Sequence, residues 1–135
     1  MGDLTVNFSR AEFACHCCGQ AKVDMNLVQA LQELRVRAGL PIKIISGYRC
    51  PKHNQDVGGA SQSQHLLGKA ADIIIVNLNL KEMYSLATQI KQFDNGGIGL
   101  YPDSQPAFMH VDVRGEQARW AKIKGNYVGI EEALA

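Results

Sequence analysis

The chain has 135 residues, 46% of them hydrophobic and 20% charged, with 14 Lys+Arg against 13 Asp+Glu and a formal net charge of +1. That composition suits one globular domain over 1–135, with a core over roughly 8–120, and excludes a disordered chain. It offers no basic surplus for nucleic acid and no acidic tail, and no apolar run reaches the ~20 residues that a bilayer needs. Met1–Phe8 has neither a positive n-region nor an apolar stretch, so no secretory signal is expected. The expectation is a monomer without membrane insertion, and any work outside the cytoplasm would need another exit route.

Residues 4–10 read as a short extended lead. Ser9 and Glu12 fit a capping box, and Cys15–Gly19 is a tight, cysteine-rich loop. Cys15, Cys17, Cys18 and Cys50 have three readings: a disulfide in an oxidising compartment, a structural zinc site, or free thiols. Asp24 caps a helix to about Ala38, with Leu27, Val28, Leu31 and Leu34 on one face and Gly39 as its stop. The β-branched run Ile42–Ser46 predicts a strand whose exit, Gly47–Pro51, carries Arg49. Residues 52–62 are a polar loop with one helical turn at most.

Ala70–Val76 reads as a buried strand, and Asn79 caps a second helix through about Phe93. Asp94–Gly97 is a turn. Ile98–Tyr101 and Ala107–Val113 pair as an antiparallel hairpin around Pro102–Pro106. The tail holds Arg119 and Trp120 and is weakly patterned. The predicted fold class is α+β: two helices on a small, mostly antiparallel sheet.

The stretch Ser63–Asp72 organises the chemistry. His65 and Asp72, with His110 from the late hairpin, form the ligand set of an open Zn2+ site, three protein ligands and a free position. Such a site suits amide hydrolysis by metal-activated water. Asp112, two residues after His110 and so on the same strand face, is the first candidate for the proton acceptor. Its other readings are a partner that orients a ligand histidine, or an ion pair with Arg114 or Arg49. Asp103 is the second candidate. Arg49 is placed to offer a guanidinium fork to a substrate carboxylate. Ser63 and Gln64 are placed to bond substrate amides, although Ser63 equally fits a cap. His16 and His53 read as structural or exposed.

The string Ser63-Gln64-His65-Leu66-Leu67-Gly68-Lys69-Ala70-Ala71-Asp72 resembles the Ser-x-His-x-x-Gly-x-Ala-x-Asp motif of the D-Ala-D-Ala carboxypeptidase family. Those zinc peptidases share a fold with the hedgehog signalling domain and include phage endolysins. Ser46–Arg49, His53-Asn54, Val57–Gly59, Gly97–Tyr101 and Phe108–Arg114, with Arg119-Trp120, resemble its short branch. The resemblance implies zinc on His65, Asp72 and His110, and Arg49 near the substrate carboxylate or transition state. It implies peptidoglycan stem peptides as substrate, cut at a bond involving a D-amino acid, by a carboxypeptidase or an endopeptidase. One position departs from it: many members carry the catalytic acid three residues before the last histidine, where this chain has Ala107. That departure sustains a second reading, a zinc-stabilised binding module without catalysis. A thiol enzyme built on Cys15, Cys17 and Cys18 is the third.

Overall fold

The computed structural model describes residues 2–134. Its strands are β1 (Ile42–Ser46), β2 (Ala70–Ile75), β3 (Gly97–Tyr101), β4 (Phe108–Asp112), β5 (Ala118–Ile123) and β6 (Asn126–Val128). They form one sheet in the order β1-β2-β4-β3-β5-β6, antiparallel throughout except for the parallel pair β3–β5. The helices are α1 (Met25–Ala38), α2 (Pro51–Asp56), α3 (Leu80–Ala87), α4 (Lys91–Asp94) and α5 (Glu131–Leu134). Single 3-10 turns lie at Arg10–Phe13 and Gln64–Leu67. The α+β class and the late hairpin are as expected. Among the described residues no helix is long and apolar enough to cross a membrane.

The termini of α1 follow local chemistry. The Asp24 carboxylate accepts the Asn26 amide, and Gly39 ends the helix in the left-handed region at φ 65°. Its buried stripe, Leu27, Val28, Ala30, Leu31 and Leu34, packs on one face of the sheet. That face carries Ala71, Ile73 and Ile75 from β2, Ile98 and Leu100 from β3, and Met109 and Val111 from β4, all fully buried. At roughly 25 cal/mol per Å² of apolar area, this layer is the main stabilising term.

The second helix is shorter than its periodicity predicts. It ends at Ala87, and Ile90 takes extended backbone (φ −95°, ψ 116°) before the separate turn α4. Ile90 and Phe93 are both fully buried, so the chain bends to insert each of them in the core. Pro51–Asp56, expected as loop, is a helix with proline in its first turn, where the missing amide costs nothing. The tail, expected to be weakly patterned, folds into β5 and β6. Lys124 (φ 53°) and Gly125 (φ 80°) make the left-handed turn between them.

Strand alternation sends every second side chain to the opposite face of the sheet. The registers align Ser46 with Asp72, Asp72 with His110, His110 with Gly99, and Gly99 with Trp120. One row of residues thus crosses five strands on the face away from α1. A bulge in β1 between Ile44 and Ser46 brings Ser46 into this row. Gly99 is required there: a Cβ would lie 2.4 Å from Trp120 Cε2, so only glycine lets the indole lie across β3 toward His110.

Candidate metal centre and its cleft

His65 reaches the row from outside the sheet. Ser63 accepts the His65 amide at 3.2 Å and starts the 3-10 turn. Gly68 ends it at φ 72°, against the Lys22 carbonyl, where a Cβ would come within 2.2 Å. The histidine side chain is only 2% exposed. Its Nδ1 lies 2.7 Å from the Gly47 carbonyl oxygen. A carbonyl can only accept, so Nδ1 carries the proton and Nε2 keeps its lone pair.

His110 is held in the mirrored sense. Its Nε2–H donates to Asp112 Oδ2 at 2.7 Å, which leaves Nδ1 as the inner nitrogen. His65 Nε2 and His110 Nδ1 then lie 3.2 and 3.1 Å from one atom, Asp72 Oδ1. Two imidazole lone pairs and a carboxylate oxygen converge, all acceptors, in a site where Asp72 is 4% exposed. Only a proton or a cation reconciles them. Bond lengths of about 2.0–2.1 Å around a tetrahedral zinc separate ligand atoms by roughly 3.3–3.4 Å. The donor set fits such an ion, and the three ligand atoms lie within 4.8 Å of one another.

Asp112 does not sit where a proton acceptor is needed. It is fully buried, on the far side of the His110 ring from Asp72. Its Oδ1 accepts from the Gly97 amide at 2.8 Å and from Arg114 Nε at 2.9 Å, and its Oδ2 from Arg114 Nη2 at 2.7 Å. Every oxygen of Asp112 is engaged, and this geometry matches its other expected role, a group that orients His110. Strand alternation did put both side chains on one face, and that proximity produced the hydrogen bond between them. Asp103 is exposed at the cleft mouth, with Oδ2 accepting the Lys124 amide at 2.6 Å.

Arg49 arrives at the site, but not as a free fork. Nη2 donates to Asp72 Oδ2 at 3.0 Å, Nε to Ser46 at 3.2 Å and Nη1 to Asn54 at 3.3 Å. Three of its five N–H groups are thus committed, and the residue lines the cleft. Ser63 and Gln64 also line the cleft, with the Ser63 oxygen already capping the turn. The open cleft measures ≈ 1000 Å³. Its opposite wall is aromatic: Tyr101 stacks on Phe108 at 4.5 Å and accepts from Trp120 Nε1 at 2.9 Å. Sequence reasoning missed this wall, Asn54 and the Gly47 carbonyl. The alternation around Trp120 and the Lys124-Gly125 turn was the available signal for the wall.

The buried charges make stability depend on pH. Burial pushes the Asp72 carboxyl up, but His65 and His110 outweigh it and hold Asp72 well below the usual carboxylate range. Burial likewise opposes the depression of Asp112, which hydrogen bonds from His110, Arg114 and Gly97 impose. Burial lowers His65, whereas the bonds of His110 to Asp112 and Asp72 overcome burial and raise it. A lowered histidine loses its contribution as pH falls below about 6.5, and a raised one loses it as pH rises above, so the two oppose each other. The depressed carboxylates stabilise above about pH 3.9 and lose this as pH falls further. The metal-free chain should therefore lose melting temperature as pH falls below about 4. Thermal circular dichroism in chelator checks this.

The Peptidase M15 family model matches residues 6–112. The chain is 37% identical over 99 residues to the probable peptidoglycan L,D-endopeptidase MepK of Haemophilus influenzae, which covers 67% of this chain and 50% of that protein. It thus spans about half the length of the curated relative it matches. A solved structure of a mutant of the vancomycin-resistance D,D-pentapeptidase VanY, in complex with Zn(II), aligns with a TM-score of 0.42 and 20% identity, over 64% of this chain and 65% of that one. The matched segment runs through α1, β1, β2, β3 and β4 and contains Arg49, His65, Asp72 and His110, so this chain belongs to the Peptidase M15 family.

Proposed function

We propose that this chain is a zinc peptidase that hydrolyses peptide bonds in peptidoglycan stem peptides. The observation that carries it is the convergence of His65 Nε2 and His110 Nδ1 on Asp72 Oδ1, with both outer ring nitrogens locked by hydrogen bonds. Zinc, when bound, would polarise a peptide carbonyl and lower the pKa of water toward neutrality. His65, Asp72 and His110 are the residues that would hold it.

The chain's other groups bind and orient. Arg49 restrains Asp72 and lines the cleft, where its uncommitted N–H groups would hold a stem-peptide carboxylate. Gln64, and the hydroxyl proton of Ser63, face the same space and would bond substrate amides. The wall of Tyr101, Phe108 and Trp120 would cover the metal side and limit water. Proton transfer falls to a group lining the cleft, and Asp103 is the carboxylate there besides Asp72. The name of the relative, a probable peptidoglycan L,D-endopeptidase, supports the cell-wall substrate class.

The engagement of Asp112 favours a second reading, a metal-stabilised module that binds stem peptides without cutting them. Zinc-loaded protein incubated with purified muropeptides separates the two. The peptidase reading expects fragments that have gained one water, by mass spectrometry, and none after chelation. Intact muropeptides with metal-loaded, folded protein would sink it, and calorimetric binding without turnover would leave the module.

A further inference from the structure

The four cysteines lie outside the chemistry of His65, Asp72 and His110, and the fold brings them together. Cys15, Cys17 and Cys18 belong to the loop after the Arg10–Phe13 turn, and Cys50 caps α2, 35 residues beyond Cys15. The sulfurs of Cys15, Cys18 and Cys50 lie within 4.8 Å of one another. A tetrahedral zinc with Zn–S bonds of about 2.3 Å separates its sulfurs by roughly 3.8 Å, so a small closure around an ion suffices.

Three further observations separate a metal from a disulfide. First, Cys15–Gly19 has the Cys-x-x-Cys-Gly spacing of a zinc-binding turn. It closes with Gly19 N donating to the Cys15 carbonyl at 2.9 Å and Gly19 at φ 75°. Second, backbone amides aim at sulfur. The Cys50 amide donates to Cys15 Sγ at 3.4 Å, and the His53 amide donates to Cys50 Sγ at 3.4 Å. An N–H donor on each of two sulfurs matches thiolate ligands. Third, three sulfurs share one point, and a disulfide would join only two of them.

The geometry points to a second metal site: the three gathered thiols of Cys15, Cys18 and Cys50 hold a structural zinc ion. Each thiol gives up its proton to solvent on binding. Residues 16–20 are exposed and carry no regular secondary structure, so the ion would supply the order that apolar packing does not. It would also clamp a functional segment. Cys50 follows Gly47, whose carbonyl orients His65, and Arg49, which holds Asp72. The Tyr48 amide already donates to the Phe13 carbonyl at 2.9 Å, so the cysteine loop and this segment are in register.

The test is metal stoichiometry of the full chain, purified under reducing conditions, with cobalt substitution as a second readout. Two equivalents of zinc per chain are expected by plasma mass spectrometry, falling by one in Cys18→Ser and in Cys50→Ser. The cobalt-loaded chain should show a near-ultraviolet thiolate-to-cobalt charge-transfer band that disappears in Cys18→Ser and survives in His110→Ala. That cross-pattern keeps failure of this site distinct from failure of the His65/Asp72/His110 site. Should a cysteine variant not fold, the cobalt spectrum of the unmodified chain decides alone. Absence of the band, or an intact mass two hydrogens below that of the reduced chain, would overturn the assignment in favour of free thiols or a disulfide.

Discussion

Replacing His110 with alanine is expected to remove one equivalent of metal and nearly all hydrolysis of stem peptides. The physical basis is that no neighbour can substitute for it. Asp72 lies directly opposite His110 in the sheet, and His65 meets them from a turn capped at both ends. These positions are held by strand register and buried backbone, not by mobile loops, so the site cannot recruit another ligand at low cost. Loss of a single hydrogen-bond donor at a developing charge costs roughly 10²–10³-fold in rate. Loss of the Lewis acid should therefore exceed about 10³-fold. The core face of β4, Met109 and Val111, is untouched, so the variant should stay folded. Metal analysis and muropeptide mass spectrometry on one preparation check both halves. Unchanged metal content would move the centre elsewhere.

Asp112→Asn is expected to weaken metal binding by about 10–100-fold and to lower activity through that loss. The carboxylate accepts the His110 Nε2 proton at 2.7 Å, which keeps Nδ1 free for the ion. An amide can turn its NH2 to that nitrogen instead. The ring proton then belongs on Nδ1, where it blocks the metal; a wrong histidine tautomer behind an intact geometry is enough to abolish function in other enzymes. Arg114, 26% exposed at its side chain, also loses its charge partner. That should cost about 1–3 kcal/mol of stability, the arginine keeping part of its hydration. Zinc-competition titration and thermal unfolding measure the two effects. If Asp112 were the proton acceptor, its amide variant would bind zinc normally and lose only turnover. Asp103→Asn should show that second pattern: metal retained, kcat lowered, and the acid limb of the pH–rate profile shifted.

The contrast between Asp112 and its neighbours shows where sequence reading ends. His65, Asp72 and His110 are legible because the residue types are those a zinc site requires and because the long string around them is specific. The caps at Asp24, Ser63 and Asn79, the stop at Gly39 and the late hairpin are local devices, encoded within a few residues of where they act. The end of α3 at Ala87 was not legible, since Ile90 and Phe93 continue the helical period while the core demands a bend. The tail was missed because β5 pairs in parallel with a strand far earlier in the chain, and only that pairing sets Trp120 beside Gly99 and His110.

By itself, then, the sequence determined α1 with its cap and stop, the strands β1 to β4, the candidate ligand trio and the resemblance to a peptidase family. The tertiary structure alone decided how the remaining polar groups divide their work. Asp112 meets the His110 ring and Arg114, Arg49 meets Asp72, Ser46 and Asn54, and Cys15, Cys18 and Cys50 gather in one cluster. The reason is that a hydrogen bond is a relation between two positions. Residue type states what a group can donate or accept, but strand register and burial decide which partner it meets.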